Sequence, residues 1–115
     1  MRMFVAVSQY QVAEETIAAH SAAHRSWVEG QYLRGRLLVS GRRSPPEGGV
    51  LVGSAADGTD VRALLDSDPF SVRGIATWRV VEFDATHFPC RSREFDTFAA
   101  LHDAVHHVPR NEDSP

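Results

Sequence analysis

Hydrophobic residues along this chain of 115 residues change their spacing several times, and the order of the changes limits the possible folds. Residues 3–8 are rich in β-branched and aromatic side chains, which is typical of a strand. Residues 12–34 then follow a three- and four-residue period, which indicates an amphipathic helix. The later segments predict strands over residues 37–42 and 50–54, a short helix over 61–67 and a strand over 77–84.

This order of strand, helix, strand, strand, helix and strand is that of the ferredoxin-like βαββαβ fold. We therefore predict an α+β sandwich in which two helices pack on one face of a four-stranded antiparallel sheet. The other face also carries apolar side chains, since Val5 and Val7 alternate with Phe4 and Ala6 along the first strand. We expect a second copy of the chain to cover that face and form a homodimer.

The C-terminal part of the chain has a different pattern. Phe95 and Phe98 begin an apolar stripe at helical spacing, which predicts an extra helix over residues 94–108 and a frayed tail after it. We therefore divide the chain into a ferredoxin-like domain over residues 1–89 and a C-terminal extension over residues 90–115.

Composition and charge favour a small globular domain and exclude several partners. Hydrophobic residues make up 43% of the chain, and the net charge of −3 gives no attraction for nucleic acid or an anionic membrane. No apolar stretch is long enough for a membrane span or a signal-peptide core. The single cysteine, Cys90, excludes an internal disulfide and is typical of a reducing compartment. We expect a cytoplasmic protein.

His24 and Asp68 are the main candidates for chemistry. His24 lies on the apolar face of the long helix beside Trp27, and Asp68 follows the second helix directly before a proline. A residue before proline leaves the helical region, so Asp68 marks a turn. A carboxylate there can accept from one imidazole nitrogen and leave the other as a base near neutral pH. The alternatives are a core histidine with ordinary hydrogen bonds and an aspartate that caps a turn.

Five segments follow one another in the order of a known family: MFVAV at residues 3–7, HRSWV at 24–28, GRLLVSG at 35–41, the pair Gly48-Gly49, and DPF at 68–70. Together they resemble the YCII-related family of the dimeric α/β-barrel group, over about residues 1–89. The resemblance implies a homodimer and a His–Asp dyad at His24 and Asp68. It also implies that Ser40 lines the same cavity.

The chain departs from the family pattern at two positions. The family often has an arginine three residues before the histidine, where this chain has Ser21. It usually has a proline after the Ser-Gly pair, where this chain has Arg42. Both changes bear on contacts with substrate, and an anion-binding role for the absent arginine does not carry over.

Arginines and aromatic residues near the predicted site have structural and functional interpretations. Arg42 belongs to a cluster around the second strand, which either protects a strand edge and loop or attracts a carboxylate-bearing substrate. Trp27, Phe70 and Trp78 are expected in the core or in a cavity wall, with a flat aromatic ligand between them as the alternative. The pair Gly48-Gly49 lacks the spacing of a phosphate or dinucleotide loop and is assigned to a hairpin.

Histidine pairs four residues apart have the spacing of metal ligands on one helix face: His20 with His24, and His102 with His106. Neither pair has an identifiable third ligand, and the glutamate of the zinc-protease motif is absent. We expect no metal ion and no other cofactor. Cys90 has no neighbouring base in sequence and is not expected to act as a nucleophile.

The family resemblance, together with the pair His24 and Asp68, implies cofactor-independent acid–base catalysis of the lyase, isomerase or dehydrohalogenase type, on a small organic acid, lactone or cyclic ketone. The alternatives are a non-catalytic small-molecule-binding or pathway-assembly module and a cofactor-independent monooxygenase. The residues assigned to the site are His24 as base, Asp68 as its orienting partner, and Ser40, Trp27, Phe70 and Arg42 as substrate-binding residues.

Overall fold

The computed structural model describes residues 1–87, and its elements follow the predicted order. The strands are β1 (Arg2–Tyr10), β2 (Leu37–Arg42), β3 (Gly49–Ser54) and β4 (Ala76–Asp84). The helices are α1 (Glu14–Leu33), α2 (Gly58–Asp66) and α3 (Pro69–Val72). The predicted helix over residues 94–108 and the extension over residues 90–115 lie outside the described residues.

The four strands form one antiparallel sheet in the order β2-β3-β1-β4. The central strand β1 pairs with β3 on one side and β4 on the other, so that Val5 stands between Val52 and Val81. The connection through α1 joins β1 to β2, and the connection through α2 and α3 joins β3 to β4. The predicted α+β, ferredoxin-like fold is confirmed.

The hydrophobic core lies between the sheet and its helices. Phe4 and Ala6 of β1 form one buried cluster with Leu65 of α2, and Trp27 and Val28 of α1 pack against it. The apolar residues of α2 recur three and four positions apart, which turns them all toward the sheet. Burial of each large side chain stabilises the fold by about 1.5–3 kcal/mol.

The opposite face of the sheet, which we name the outer face, is rich in valine. Val5 and Val7 of β1 pair across the sheet with Val52 and Val50 of β3, and Val5 also pairs with Val81 of β4. Directly paired residues point to the same side of a sheet, so these valines form one apolar surface. Val81 is 65% exposed within the chain. None of the helices within residues 1–87 is long and apolar enough to cross a membrane.

The short helix α3 corrects the sequence prediction of two helices and a simple turn. Asp68 has an extended backbone, with φ −63° and ψ 130°, which ends α2 before the proline as predicted. The same residue then caps a new helix, because its side chain accepts from the backbone N–H of Phe70. Pro69 follows at the first helical position, where its fixed φ suits a helix and its missing N–H costs nothing.

The glycine pair before β3 holds the β2–β3 loop against the end of β1. A side chain at Gly48 would place its Cβ 1.9 Å from the backbone oxygen of Ser8, so only glycine fits there. The backbone N–H of Gly49 donates to the Ser8 hydroxyl over 2.8 Å, and the N–H of Tyr10 donates to the carbonyl oxygen of Glu47 over 2.8 Å. The loop is therefore fixed to the end of β1, and it lines one cavity together with residues at the start of α1.

Candidate active site

His24 and Asp68 lie in direct contact although they are 44 residues apart in the chain. Nδ1 of His24 is 2.8 Å from Oδ1 of Asp68. The Asp68 side chain is 0% exposed and that of His24 is 23% exposed. The carboxylate therefore lies in the interior, while the imidazole reaches from it toward the surface.

The hydrogen bonds of Asp68 determine which nitrogen of His24 carries its proton. Oδ1 of Asp68 also accepts from the backbone N–H of Phe70 over 3.1 Å. An ionised carboxylate can only accept, so Nδ1 of His24 donates, and Nε2 of a neutral imidazole keeps its lone pair. Oδ2 of Asp68 is buried and has no hydrogen-bond partner within residues 1–87. A buried carboxylate is costly without hydrogen-bond partners, so the contacts of Oδ1 with His24 and with the Phe70 N–H offset part of the cost of burying Asp68.

Two aromatic rings flank the imidazole. The ring of Phe70 lies parallel to that of His24, with centroids 4.3 Å apart and an interplanar angle of 1°. The ring of Trp27 stacks at 6.1 Å and 23°. Rings at these distances attract each other and restrict rotation of the imidazole. The aromatic residues assigned to the site therefore contact the dyad.

Two tryptophans hold the segment that carries Asp68. The indole N–H of Trp27 donates to the hydroxyl of Ser67 over 2.9 Å, and that of Trp78 donates to the hydroxyl of Ser71 over 2.9 Å. These bonds fix α3 and the residue before Asp68 against α1 and β4. The sequence analysis missed the two serines, which stand directly before and after the DPF segment at residues 68–70.

Ser40 lies on β2 and forms no hydrogen bond with His24 or Asp68 among the described residues. Its hydroxyl oxygen instead accepts from the phenol of Tyr32 over 2.8 Å. A hydroxyl has one donor and two acceptor positions, so Ser40 keeps its own hydrogen for another partner.

Arg42 lines a cavity of about 450 Å³ at the end of the sheet described above. The last residues of β1, the first turns of α1 and the β2–β3 loop form its walls, which include Tyr10 and Ser21. Ser21 precedes His24 by three residues on α1, and Tyr10 meets Phe70 edge to face with centroids 6.0 Å apart. The cavity therefore lies beside the dyad but is separated from it by Tyr10 and Phe70. It brings together both positions at which the chain departs from the family pattern.

A family model describes most of this chain. The model of the YCII-related domain matches residues 1–84. The chain belongs to the YCII-related family. The resemblance inferred from the sequence is therefore confirmed. A comparison with curated protein sequences finds no match.

Solved structures of other proteins share the fold of this YCII-related chain. One is 5-chloro-2-hydroxyhydroquinone dehydrochlorinase, TftG, from Burkholderia phenoliruptrix, in complex with 2,5-dihydroxybenzoquinone. It has a TM-score of 0.60 and 18% identity, with 75% of this chain and 95% of that chain covered. An antibiotic biosynthesis monooxygenase has a TM-score of 0.50 and 16% identity, with 76% and 100% covered. At these identities the likeness shows the fold.

The histidine pairs with metal-ligand spacing do not form a metal site among the described residues. Within residues 1–87, no three histidine, cysteine or acidic side chains lie close enough together to hold a metal ion. His20 and His24 share α1, but Nδ1 of His24 is engaged by Asp68. The other histidine pair, His102 with His106, and Cys90 lie outside the described residues.

Proposed function

We propose that this chain is a cofactor-independent acid–base enzyme of the lyase, isomerase or dehydrohalogenase type. The observation that carries the proposal is the 2.8 Å contact between a partly exposed imidazole and a fully buried carboxylate. A carboxylate that holds one imidazole nitrogen orients the ring and stabilises the imidazolium that forms when the other nitrogen takes a proton. His24 is then the base, and Asp68 is its orienting partner.

In the proposed reaction, Nε2 of His24 removes a proton from a carbon beside a carbonyl group. The electron pair of the broken C–H bond moves into the carbonyl group and forms an enolate. In an isomerisation, the imidazolium returns the proton to a different carbon. In an elimination, the electron pair forms a carbon–carbon double bond and expels a leaving group such as chloride, and the imidazolium then passes its proton to solvent. Both sequences balance without an oxidant.

The substrate-binding residues have separate tasks in this proposal. Phe70 and Trp27 keep water from the imidazole and contact a flat substrate beside it. Ser40 donates its free hydroxyl hydrogen to a substrate oxygen. Arg42 contacts the substrate from the adjoining cavity. The name of TftG describes the removal of hydrogen chloride from a chlorinated hydroxyhydroquinone, which is a reaction of the class proposed here.

Exchange of substrate hydrogen with solvent deuterium tests this function without knowledge of the natural substrate. The protein is incubated in D₂O with small lactones, cyclic ketones and organic acids, and 5-chloro-2-hydroxyhydroquinone is added to the panel for chloride release. Loss of C–H signals is followed by proton NMR. We expect His24→Gln to slow exchange by about 10²–10⁴-fold, the usual contribution of a general base.

His20→Gln is the matched control, since His20 lies one helical turn before His24 and forms no hydrogen bond with Asp68. Exchange that is equally fast in folded His24→Gln and in the wild type would exclude His24 as the base. Binding of panel members by the wild type without any exchange would favour the alternative of a non-catalytic binding module.

We also propose that the functional unit is a homodimer formed through the outer face of the sheet. The valines of that face make a continuous apolar surface, and removal of such a surface from water contributes about 25 cal/mol per Å². Light scattering at micromolar concentration tests the proposal, and the mass of a single chain would exclude it.

A further inference from the structure

The cavity beside the dyad has the size of a small-molecule site. Its volume is about 450 Å³, and such sites generally enclose about 300–1,000 Å³. Its walls combine apolar side chains, among them Tyr10 and Ile17, with a few polar groups. This combination is typical of sites that bury an apolar body and fix its orientation through one or two polar contacts.

Arg42 is the one cation among the described residues that line this cavity. Within residues 1–87, it takes part in no ion pair and no side-chain hydrogen bond. The neighbouring Arg43 differs, because it donates to the backbone oxygen of Ser8 and to Oε1 of Gln9, at 3.1 and 2.7 Å. Arg43 also forms an ion pair with Glu47 at 3.6 Å. The carboxylate of Glu47 is therefore paired with Arg43, which also binds the end of β1. Glu47 does not need Arg42 as a partner.

The second carboxylate of the cavity is that of Glu14, which lies at the N-terminus of α1. Glu14 is the first residue of α1, where the free backbone N–H groups of the helix favour a negative charge. It forms no ion pair with Arg42, although both line the cavity. The guanidinium of Arg42 is thus free to bind an anion that enters the cavity.

The inner wall of the cavity leads to the dyad. Tyr10 and Ile17 both pack on the cluster that contains Phe70, whose ring covers His24. Ser21 precedes His24 by three residues on α1, which corresponds to a rise of about 5 Å along the helix. His24 does not itself line the cavity, but the apolar wall of Tyr10 and Ile17 packs against Phe70, which stacks on the imidazole.

We propose that this cavity binds a small organic anion, a carboxylate on a flat apolar body, with Arg42 as the anion-binding residue. A guanidinium suits this task because it stays charged and offers paired N–H donors to the two oxygens of a carboxylate. The identification of this anion as the substrate of the dyad rests on the proposed function. The binding of the anion does not.

Titration with benzoate and with its neutral analogue benzamide tests this site, and binding is measured by calorimetry on the full chain. Benzoate binds at least tenfold more tightly than benzamide, and Arg42→Gln weakens benzoate about tenfold without changing benzamide. Arg62→Gln, which removes an exposed arginine on α2, leaves both affinities unchanged. Failure of benzoate to bind, or equal binding by the wild type and Arg42→Gln, overturns the assignment.

Glu14→Gln separates an anion site from a site for zwitterions. Removal of a negative charge from the cavity leaves benzoate binding unchanged or strengthens it. The zwitterion 4-(aminomethyl)benzoate carries an ammonium group as well as a carboxylate. An anion site binds it no more tightly than benzoate. A gain that requires both Glu14 and Arg42 overturns the assignment to simple anions.

The variant His24→Gln distinguishes failure of this inference from failure of the proposed function. Benzoate binding that depends on Arg42 and persists in His24→Gln supports the site even if no deuterium exchange depends on His24. Exchange that depends on His24 while benzoate binding is unaffected by Arg42→Gln supports the proposed function and overturns the site.

Discussion

A double-mutant cycle on His24 and Asp68 measures the strength of their contact in solution. His24→Phe removes Nδ1 but keeps a ring that can stack on Phe70, and Asp68→Ala removes the carboxylate. The two side chains share the 2.8 Å hydrogen bond, so their effects on the free energy of unfolding are not independent. The coupling energy is the difference between the cost of the double variant and the sum of the single costs.

The structure sets the expected size of each effect. Asp68→Ala loses the bond to the Phe70 N–H, worth about 1 kcal/mol, and a charged hydrogen bond, worth about 1.5–3 kcal/mol. The substitution also removes Oδ2, a buried oxygen without a partner in residues 1–87, and this regains about 1–3 kcal/mol of stability. The net cost is about 1–2 kcal/mol. His24→Phe leaves a fully buried carboxylate without its side-chain hydrogen-bond donor and costs about 3 kcal/mol.

We therefore expect a coupling of about 1.5–2 kcal/mol, in the lower half of the range for charged hydrogen bonds because water reaches the partly exposed imidazole. Urea unfolding followed by circular dichroism gives the four free energies. Phe70→Leu with His24→Ala is a companion cycle for the stacking contact between the two rings. Additivity of the His24 and Asp68 effects within about 0.5 kcal/mol would contradict a formed dyad.

Three further predictions concern the fold and the dimer. Gly48→Ala destabilises the protein by about 2–3 kcal/mol, because the new Cβ meets the backbone of Ser8, whereas Gly30→Ala in α1 meets nothing and stabilises it by about 0.5–1 kcal/mol. Urea unfolding measures both, and equal stabilities of the two variants would contradict the tight approach. Val81→Asp on the outer face gives a folded monomer in light scattering. Val72→Asp, also at an exposed valine but on α3, remains a dimer.

Local patterns in the sequence determined most of the secondary structure. The strand over residues 37–42 agrees with β2 in both bounds, because alternation of side chains is a property of the strand itself. The two main helices were also indicated, since three- and four-residue spacing places apolar residues on one side of a helix whatever it packs against. α2 begins earlier than predicted, at Gly58, because Asp57 caps it by accepting from the backbone N–H of Asp60.

The site itself depends on contacts between distant parts of the chain. The sequence indicated His24 and Asp68 as separate candidates and, through a family resemblance, as a pair, but spacing in sequence carries no distance between residues on different elements. Packing of α1 against α3 decides that distance, together with the stacking of Phe70 on the imidazole. Only the tertiary structure joins Arg42 and Ser21 in one cavity, because a hairpin loop and a helix meet there across the end of the sheet.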